Sequence, residues 1–256
     1  MWWWAVAGAA EIAGGLTGDL RSQRDLQVSP LAYGGAGGGL WLEVEERAGR
    51  WRVSQDLALD AEGWRPSGGR RTFTLSGTDP IDGSDDSFSF RESITTLAGT
   101  AGLEVRRTLG EVALGGRLQA EALDARGIVL SQWAWTSLEL GPSARWTRAL
   151  SPKVRASASG SLPLLAVVTR YPDTLNPLLP DTSQVGGFFA TGTRMATVVG
   201  HQRVALGADV ELAGWGRWWW CLGLRGDWLH DASPDPLYRL GGAVLLGGRL
   251  ASRRTP

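Results

Sequence analysis

The sequence predicts an all-β chain, folded as a closed antiparallel up-and-down transmembrane β-barrel of about ten strands. Three observations predict it. Apolar residues recur with period two in long segments, where a helix would show period 3.6. Those segments run about 12 to 17 residues, against roughly five or six for soluble strands. Their connections alternate short and long, the rhythm of short periplasmic turns and long extracellular loops.

The first two strands are expected near 11–22 and 36–47. The third, near 50–63, is the clearest. Trp51, Val53, Gln55, Leu57, Leu59 and Ala61 form one face, and Arg52, Ser54, Asp56, Asp60 and Glu62 lie on the other. A helix would place apolar residues on both parities within one turn. Strands near 94–108 and 110–123 follow, the second setting Val112, Leu114, Leu118 and Ala120 against Arg117, Gln119 and Glu121. The next are near 134–148 and 152–168, the latter with Val154, Ala156, Ala158, Leu162 and Leu164 against Arg155, Ser157, Ser159 and Ser161. The stretch near 196–213 alternates Val204, Leu206, Ala208, Val210 and Leu212 with Arg203, Asp209 and Glu211. Strands near 216–229 and 238–250 complete the set.

Tight turns fall at Ala48-Gly49, Leu109-Gly110, Leu150-Ser151-Pro152 and Gly214-Trp215, with long connections near 23–35, 64–93, 124–133, 169–195 and 230–237. An even strand count puts both termini of the barrel's chain on the short-turn side. Within 64–93, RTFTLS and SFSFRES flank GTDPIDGSDD. Each arm is too short to cross a bilayer, so a hairpin projecting beyond the barrel is expected. Pro172, Pro177 and Pro180 suit an ordered surface loop in 169–195. The apolar start MWWWAVAGAA reads as a signal-peptide remnant over 1–10, or as the apolar beginning of the first strand. The barrel domain is then 11–250 and the C-terminal tail 251–256.

Composition narrows the function. With 26 basic and 26 acidic residues the chain has no net charge, which argues against nucleic acid as a partner. One Cys and two His leave no intrachain disulfide and little for a metal, so neither metal nor cofactor is expected. GGAGGG at 34–39 lacks dinucleotide-binding spacing, and zinc-protease and serine-elbow motifs are absent. No apolar run reaches the roughly 18 residues of a membrane-spanning helix. The 14 Trp and 36 Gly are both in excess. Glycine relieves crowding on a strongly bent sheet and serves the turns.

Tryptophan placement suggests which face meets lipid. Trp51, Trp146, Trp215 and Trp218 lie beside short turns, and Trp64, Trp133, Trp135, Trp228 and Tyr238 beside long loops. That predicts an interfacial girdle at each end, with the lipid bilayer as partner. The alternative is a soluble β-barrel ligand-binding protein with its apolar face inward and Trp capping its core. The polar parity carries Glu43, Asp56, Glu104, Glu139, Asp209 and Asp227 with Arg52, Arg106, Arg117, Arg155, Arg203 and Arg225. Glu45, Asp60, Glu111, Glu121, Arg145 and Glu211 join them. In a ten-strand barrel, only slightly wider than the side-chain-filled eight-strand kind, such charges pair and narrow or plug the lumen.

Two constellations could carry chemistry. One is luminal: His201 with Ser161 or Ser159 and Glu139. A Ser-His-acid relay needs the His between its partners, but the serine strand is expected to separate Glu139 from His201, which then joins Arg203. The other sets His230-Asp231 near Asp82, Asp85 and Asp86, similar to the paired residues of outer-membrane proteases. Parity puts His230 on the lipid side with Trp228.

VSPLAYGG leading into GLWLEVEERAGRWRVSQDLAL resembles the first loop and hairpin of uncharacterised Gram-negative outer-membrane β-barrel proteins. LPLLAVVTR and DWLHDASPDPLYRLGGAVLLGGRL resemble their later strands. The resemblance covers most of the chain and rests on pattern more than on invariant motifs. It implies residence in the outer membrane, insertion by the outer-membrane assembly machinery, and no assigned activity. The chain departs from the family in following Leu250 with ASRRTP instead of a terminal aromatic. The function expected is a small porin-like or structural barrel with a narrow, charge-lined lumen and loops open to a ligand, the partner being a small solute or a loop ligand of unknown identity. The alternative is an outer-membrane hydrolase acting on lipid or peptide.

Overall fold

Period-two segments can satisfy their backbone only by pairing sideways, and in a closed ring no edge is left over. The computed structural model describes residues 9–26, 31–67, 72–78, 85–91, 94–127, 133–170 and 184–250. Expectations on residues 1–8 and 251–256, on Asp82, on Pro172, Pro177 and Pro180, and on the side chains of Trp133, Asp85 and Asp86 lie outside what is described.

The strands are β1 (Ala9–Asp25), β2 (Ala32–Ala48), β3 (Trp51–Pro66), β4 (Thr72–Thr78), β5 (Asp85–Arg91), β6 (Ile94–Leu109) and β7 (Val112–Gly127). There follow β8 (Trp133–Ser151), β9 (Val154–Ser161), β10 (Leu165–Arg170), α1 (Gln184–Gly192), β11 (Thr193–Thr197), β12 (His201–Ala213), β13 (Trp218–Asp231) and β14 (Leu237–Leu250). All pairings are antiparallel, and β1 pairs with both β2 and β14, which closes the ring. The ring has ten staves in up-and-down order, because β9 and β10 share one stave, and β11 and β12 the next.

Those two staves differ from the continuous strands expected. Pro163 has no N–H to give the ladder, and the stave breaks between Ser161 and Leu165. Backbone bonds from Leu162 to Pro142 (3.2 Å) and Leu164 to Leu140 (2.9 Å) hold the break against β8. The neighbouring stave breaks at 198–200, where Val198 N–H donates to Leu164 (3.1 Å). The connection 169–195 also contains α1, which periodicity did not reveal; QVGGFFATG packs on β10 and β11 and buries Phe188. β4 and β5 pair only with each other. Trp64 pairs with Ile94 below them, so this hairpin stands beyond the ring, as expected. In the tight turns, Gly49 (φ 61°) and Gly110 (φ 67°) take the left-handed conformation that glycine adopts without strain.

The apolar parity faces outward. Leu16 is 62% exposed, Leu206 61% and Leu240 62%, and Leu40, Leu59 and Leu246 are likewise exposed. This overturns the alternative with the apolar face inward, since a soluble protein would not turn its leucines out over a whole barrel wall. Trp51, Trp215, Trp218 and Trp228 also face out, and Trp146 is half-buried with its indole N–H donating to Glu111 (3.1 Å).

Trp64 and Trp135 correct the expected girdle. Each is only 1% exposed and points into the barrel. Parity explains both: Trp64 lies on the face of Ser54, Asp56 and Glu62, and Trp135 on that of Ser137 and Glu139. With Tyr33, Ile94, Leu123, Val168, Leu229 and Leu237 they form an apolar cluster closing the long-loop end of the lumen. The odd-numbered glycines of β2 make room on the strand beside β3. A Cβ on Gly35 would strike the Trp64 ring, and one on Gly37 or Gly39 the β3 backbone. The luminal face of GGAGGG, Gly35, Gly37 and Gly39, therefore carries no side chain, and Trp64 lies against Gly35. Glu111, expected in the lumen, instead sits exposed at the β6–β7 turn, where it meets Arg148 at 3.7 Å. A turn residue no longer obeys strand parity.

Leu206→Arg, in the middle of β12, is expected to cost about 2–4 kcal/mol of unfolding free energy in lipid vesicles, and Leu109→Arg at the turn end about 0–1 kcal/mol. Denaturant titration of the vesicle-inserted protein checks both.

Candidate functional site

Outward leucines leave the opposite parity, and with it most strand charges, no place but the lumen. Under the apolar cap lies a first layer of ion pairs. Glu121 on β7 receives Arg203 Nη1 from β12 at 2.6 Å and Arg239 Nη2 from β14 at 2.9 Å. β7 and β14 are five steps apart round the ring (β7, β6, β3, β2, β1, β14). The Arg239–Glu121 pair therefore spans the barrel's width. Arg239 and Arg203 also share Asp227, at 3.1 and 3.4 Å, and Arg239 lies 5.0 Å from the ring centre of Trp135. That contact ties the ionic layer to the apolar cap.

The layer continues towards the loops. Arg203 reaches Glu139 at 3.1 Å, and Ser137 donates to the same carboxylate at 2.7 Å. His201 bridges two acids, with Nε2 3.2 Å from Glu139 and Nδ1 3.1 Å from Asp231. Asp231 is further held by Arg194 and by Arg170 at 3.0 Å, and Arg170 also binds Asp25 on β1.

A second layer lies nearer the turns. Arg145 on β8 meets Glu43 (3.2 Å) and Glu45 (3.7 Å) of β2 and Asp209 (3.9 Å) of β12. Arg249 on β14 meets Glu43 (3.0 Å), Glu211 (2.7 Å) and Glu11 (3.7 Å). Glu45 is shared with Arg106 (3.6 Å) and Arg52 (3.3 Å), and Arg106 lies 3.4 Å from Glu104. Arg155 pairs with Glu211 at 3.8 Å and covers the Trp219 ring at 4.2 Å. Between the layers is a chamber of about 280 Å³, bordered by Thr17, Asp19, Trp41, Asp60, Gln119 and Ser159. Arg117–Asp56 (2.8 Å) and Arg225–Asp209 (2.6 Å) lie along its wall.

Of the eighteen charges assigned to the polar parity, Glu111 lies outside the lumen, Asp60 accepts a hydrogen bond from Thr17 at 2.6 Å and enters no ion pair among the described residues, and the others pair within it. Sequence reasoning missed Arg239, Arg249 and Glu11, which parity along β14 and β1 would have found. It also missed Arg170 and Asp25, because both were assigned to loops. Arg170, Arg203, Arg239 and Arg249 are buried along with Glu45, Glu121, Glu139 and Asp231. A buried pair gains little over a well-packed apolar pair, but removing one partner strands a charge and is costly.

The luminal relay is not assembled. Among the described residues no hydrogen bond joins His201 to Ser161 or Ser159, and Ser161 faces a hollow of about 10 Å³ with Glu139, Arg117 and Pro163. The serine stave does not keep Glu139 and His201 apart as expected. The residue paired with Glu139 on that stave is Ala166, whose methyl is too small to separate them. His230 stacks on Tyr238 at 4.7 Å, while Asp231 points inward, so strand alternation splits that pair. No group of three or more His, Cys, Asp or Glu among the described residues is placed to hold a metal ion.

A closed ring with leucines outward and charges neutralised inside is built as a transmembrane β-barrel with a filled lumen. No family model matches the chain and no curated protein matches it. Among solved structures it is similar to the outer membrane protease OmpT from Escherichia coli, with TM-score 0.42 and 8% identity over 98% of this chain and 99% of the other. It is also similar to the translocator domain of the autotransporter NalP from Neisseria meningitidis (0.40, 14%, 96% and 89%). A third is Ail, the attachment invasion locus protein of Yersinia pestis (0.31, 10%, 94% and 98%).

Glu121→Ala removes the carboxylate that bridges the barrel and leaves buried Arg203 and Arg239 with Asp227 alone as their shared partner. It is expected to destabilise the barrel by about 3–5 kcal/mol, and combination with Arg239→Ala to cost less than the sum of the two changes. Urea unfolding of the single and double variants in vesicles measures this.

Proposed function

We propose that this chain is a Gram-negative outer-membrane barrel whose lumen is closed at rest, a structural barrel presenting its long loops, and not an open porin. The observation that carries the reading is the Arg239–Glu121 bridge across the full width of the ring. The Trp135–Trp64 cap above it and the Arg145–Glu43 layer below leave a solute no straight path. The outward leucines support the bilayer as partner. Trp51, Trp146, Trp215 and Trp218 serve as the girdle at the turn end, and Trp228 and Tyr238 at the loop end. Insertion by the outer-membrane assembly machinery and a small ligand for the loops belong to the same reading. A Ser-His relay would need a serine beside His201, and among the described residues Ser161 is not hydrogen-bonded to it.

The purified chain reconstituted in planar bilayers is expected to show no steady ohmic conductance. Conductance of porin size in the wild type would contradict a closed lumen.

A further inference from the structure

The outer wall carries one concavity that the closed lumen does not explain. Val210 and Leu212 on β12, Trp220 and Leu222 on β13, and Leu246 on β14 border an apolar groove of about 450 Å³. Here the register puts Leu212 beside Trp220 and Trp220 beside Gly248. The Trp218 ring lies over Gly248, in the place a Cβ would take, and meets Trp220 edge to face at 5.9 Å, which backs Trp220 in its position along the groove. One wall of the groove is therefore fixed by two aromatic rings.

The end of the groove nearest the β12–β13 turn is polar and positive. A Cβ on Gly214 in that turn would lie 3.4 Å from the indole nitrogen of Trp220, so this nitrogen is turned towards the interface. No hydrogen bond occupies it among the described residues. Arg217 lies in the same turn, and the Lys153 carbonyl accepts the Ala213 N–H at 2.8 Å, bringing the β8–β9 turn alongside. Both cationic side chains are exposed, and neither enters an ion pair among the described residues. This contrasts with the lumen, where guanidiniums are matched to carboxylates.

We propose that this groove binds one anionic glycerophospholipid of the turn-side leaflet. An acyl chain lies along Val210, Leu222 and Leu246, and the headgroup phosphate meets Arg217, Lys153 and the Trp220 N–H. Apolar burial alone would accept any lipid. Two unpaired cations at the interface select a net negative headgroup, each contributing through the same short-range attraction that holds basic segments to anionic membranes. The assignment rests on the membrane-barrel reading, since the groove faces lipid only there.

Native mass spectrometry of the full chain, folded in detergent and offered phosphatidylglycerol or phosphatidylcholine, tests it. The wild type is expected to retain one phosphatidylglycerol in preference to phosphatidylcholine. Arg217→Ala with Lys153→Ala is expected to weaken phosphatidylglycerol binding by about thirtyfold while leaving phosphatidylcholine unchanged. Val210→Trp, which fills the groove and keeps the cations, is expected to lose both lipids. Heat-modifiable gel migration reports folding of each variant. A folded wild type without headgroup preference, or folded variants that bind as the wild type does, overturns the site alone. A wild type with no heat-modifiable band overturns the membrane-barrel reading along with it.

Discussion

Glu121 holds two guanidiniums that arrive from strands far round the ring, and much of the architecture follows from that contact. A strand exposed to hydrocarbon must send its polar parity inward. A ring of only ten staves then confines those charges in a space with little water, where an unmatched one is costly. Pairing of acidic with basic side chains is thus a steric and electrostatic requirement of a narrow lumen. The matching runs across the barrel as well as between adjacent strands: Arg145 spans from β8 to β2 and Arg170 from β10 to β1. Such pairs favour one closed register, because sliding a strand by one residue would turn its charges towards lipid.

Glycine and small residues make this packing possible. Gly35 of β2 admits the Trp64 ring, and a Cβ on Gly102 would crowd the Asp56–Arg117 pair. Ala166 lets Glu139 reach His201 past an intervening stave. A lumen filled in this way is graded along its axis: apolar under the loops, ionic beneath, hollow in the middle and ionic again at the turns. The ends therefore differ in what they can admit, and the long-loop end is the drier of the two.

Much of the ring was legible in the sequence because one rule, alternation, acts at every residue of a membrane strand. The positions of Val53, Leu57 and Leu59 against Ser54, Asp56 and Asp60 settle both strand and face without any tertiary information. Trp64 and Trp135 were misjudged when proximity to a strand end was allowed to outweigh parity. The breaks at Pro163 and Val198 and the helix at Gln184–Gly192 depend on contacts between neighbouring staves, which alternation does not encode. The candidate site was half legible. Parity names which charges enter the lumen, but which of them touch depends on barrel shear and on side chains reaching across, as Arg239 does to Glu121.

The central claim is that one parity of each strand meets lipid while the other fills a closed interior. Nitroxide labels placed singly along β12 in vesicle-inserted protein test it most directly, through collisions with oxygen and with a charged nickel chelate. Labels at Val204, Leu206 and Val210 should be reached by oxygen and shielded from nickel, and labels at Ala205 and Gly207 should be shielded from both. Nickel access at Ala205 and Gly207 would reveal an open channel, and nickel access at Leu206 would mean that this face does not meet lipid.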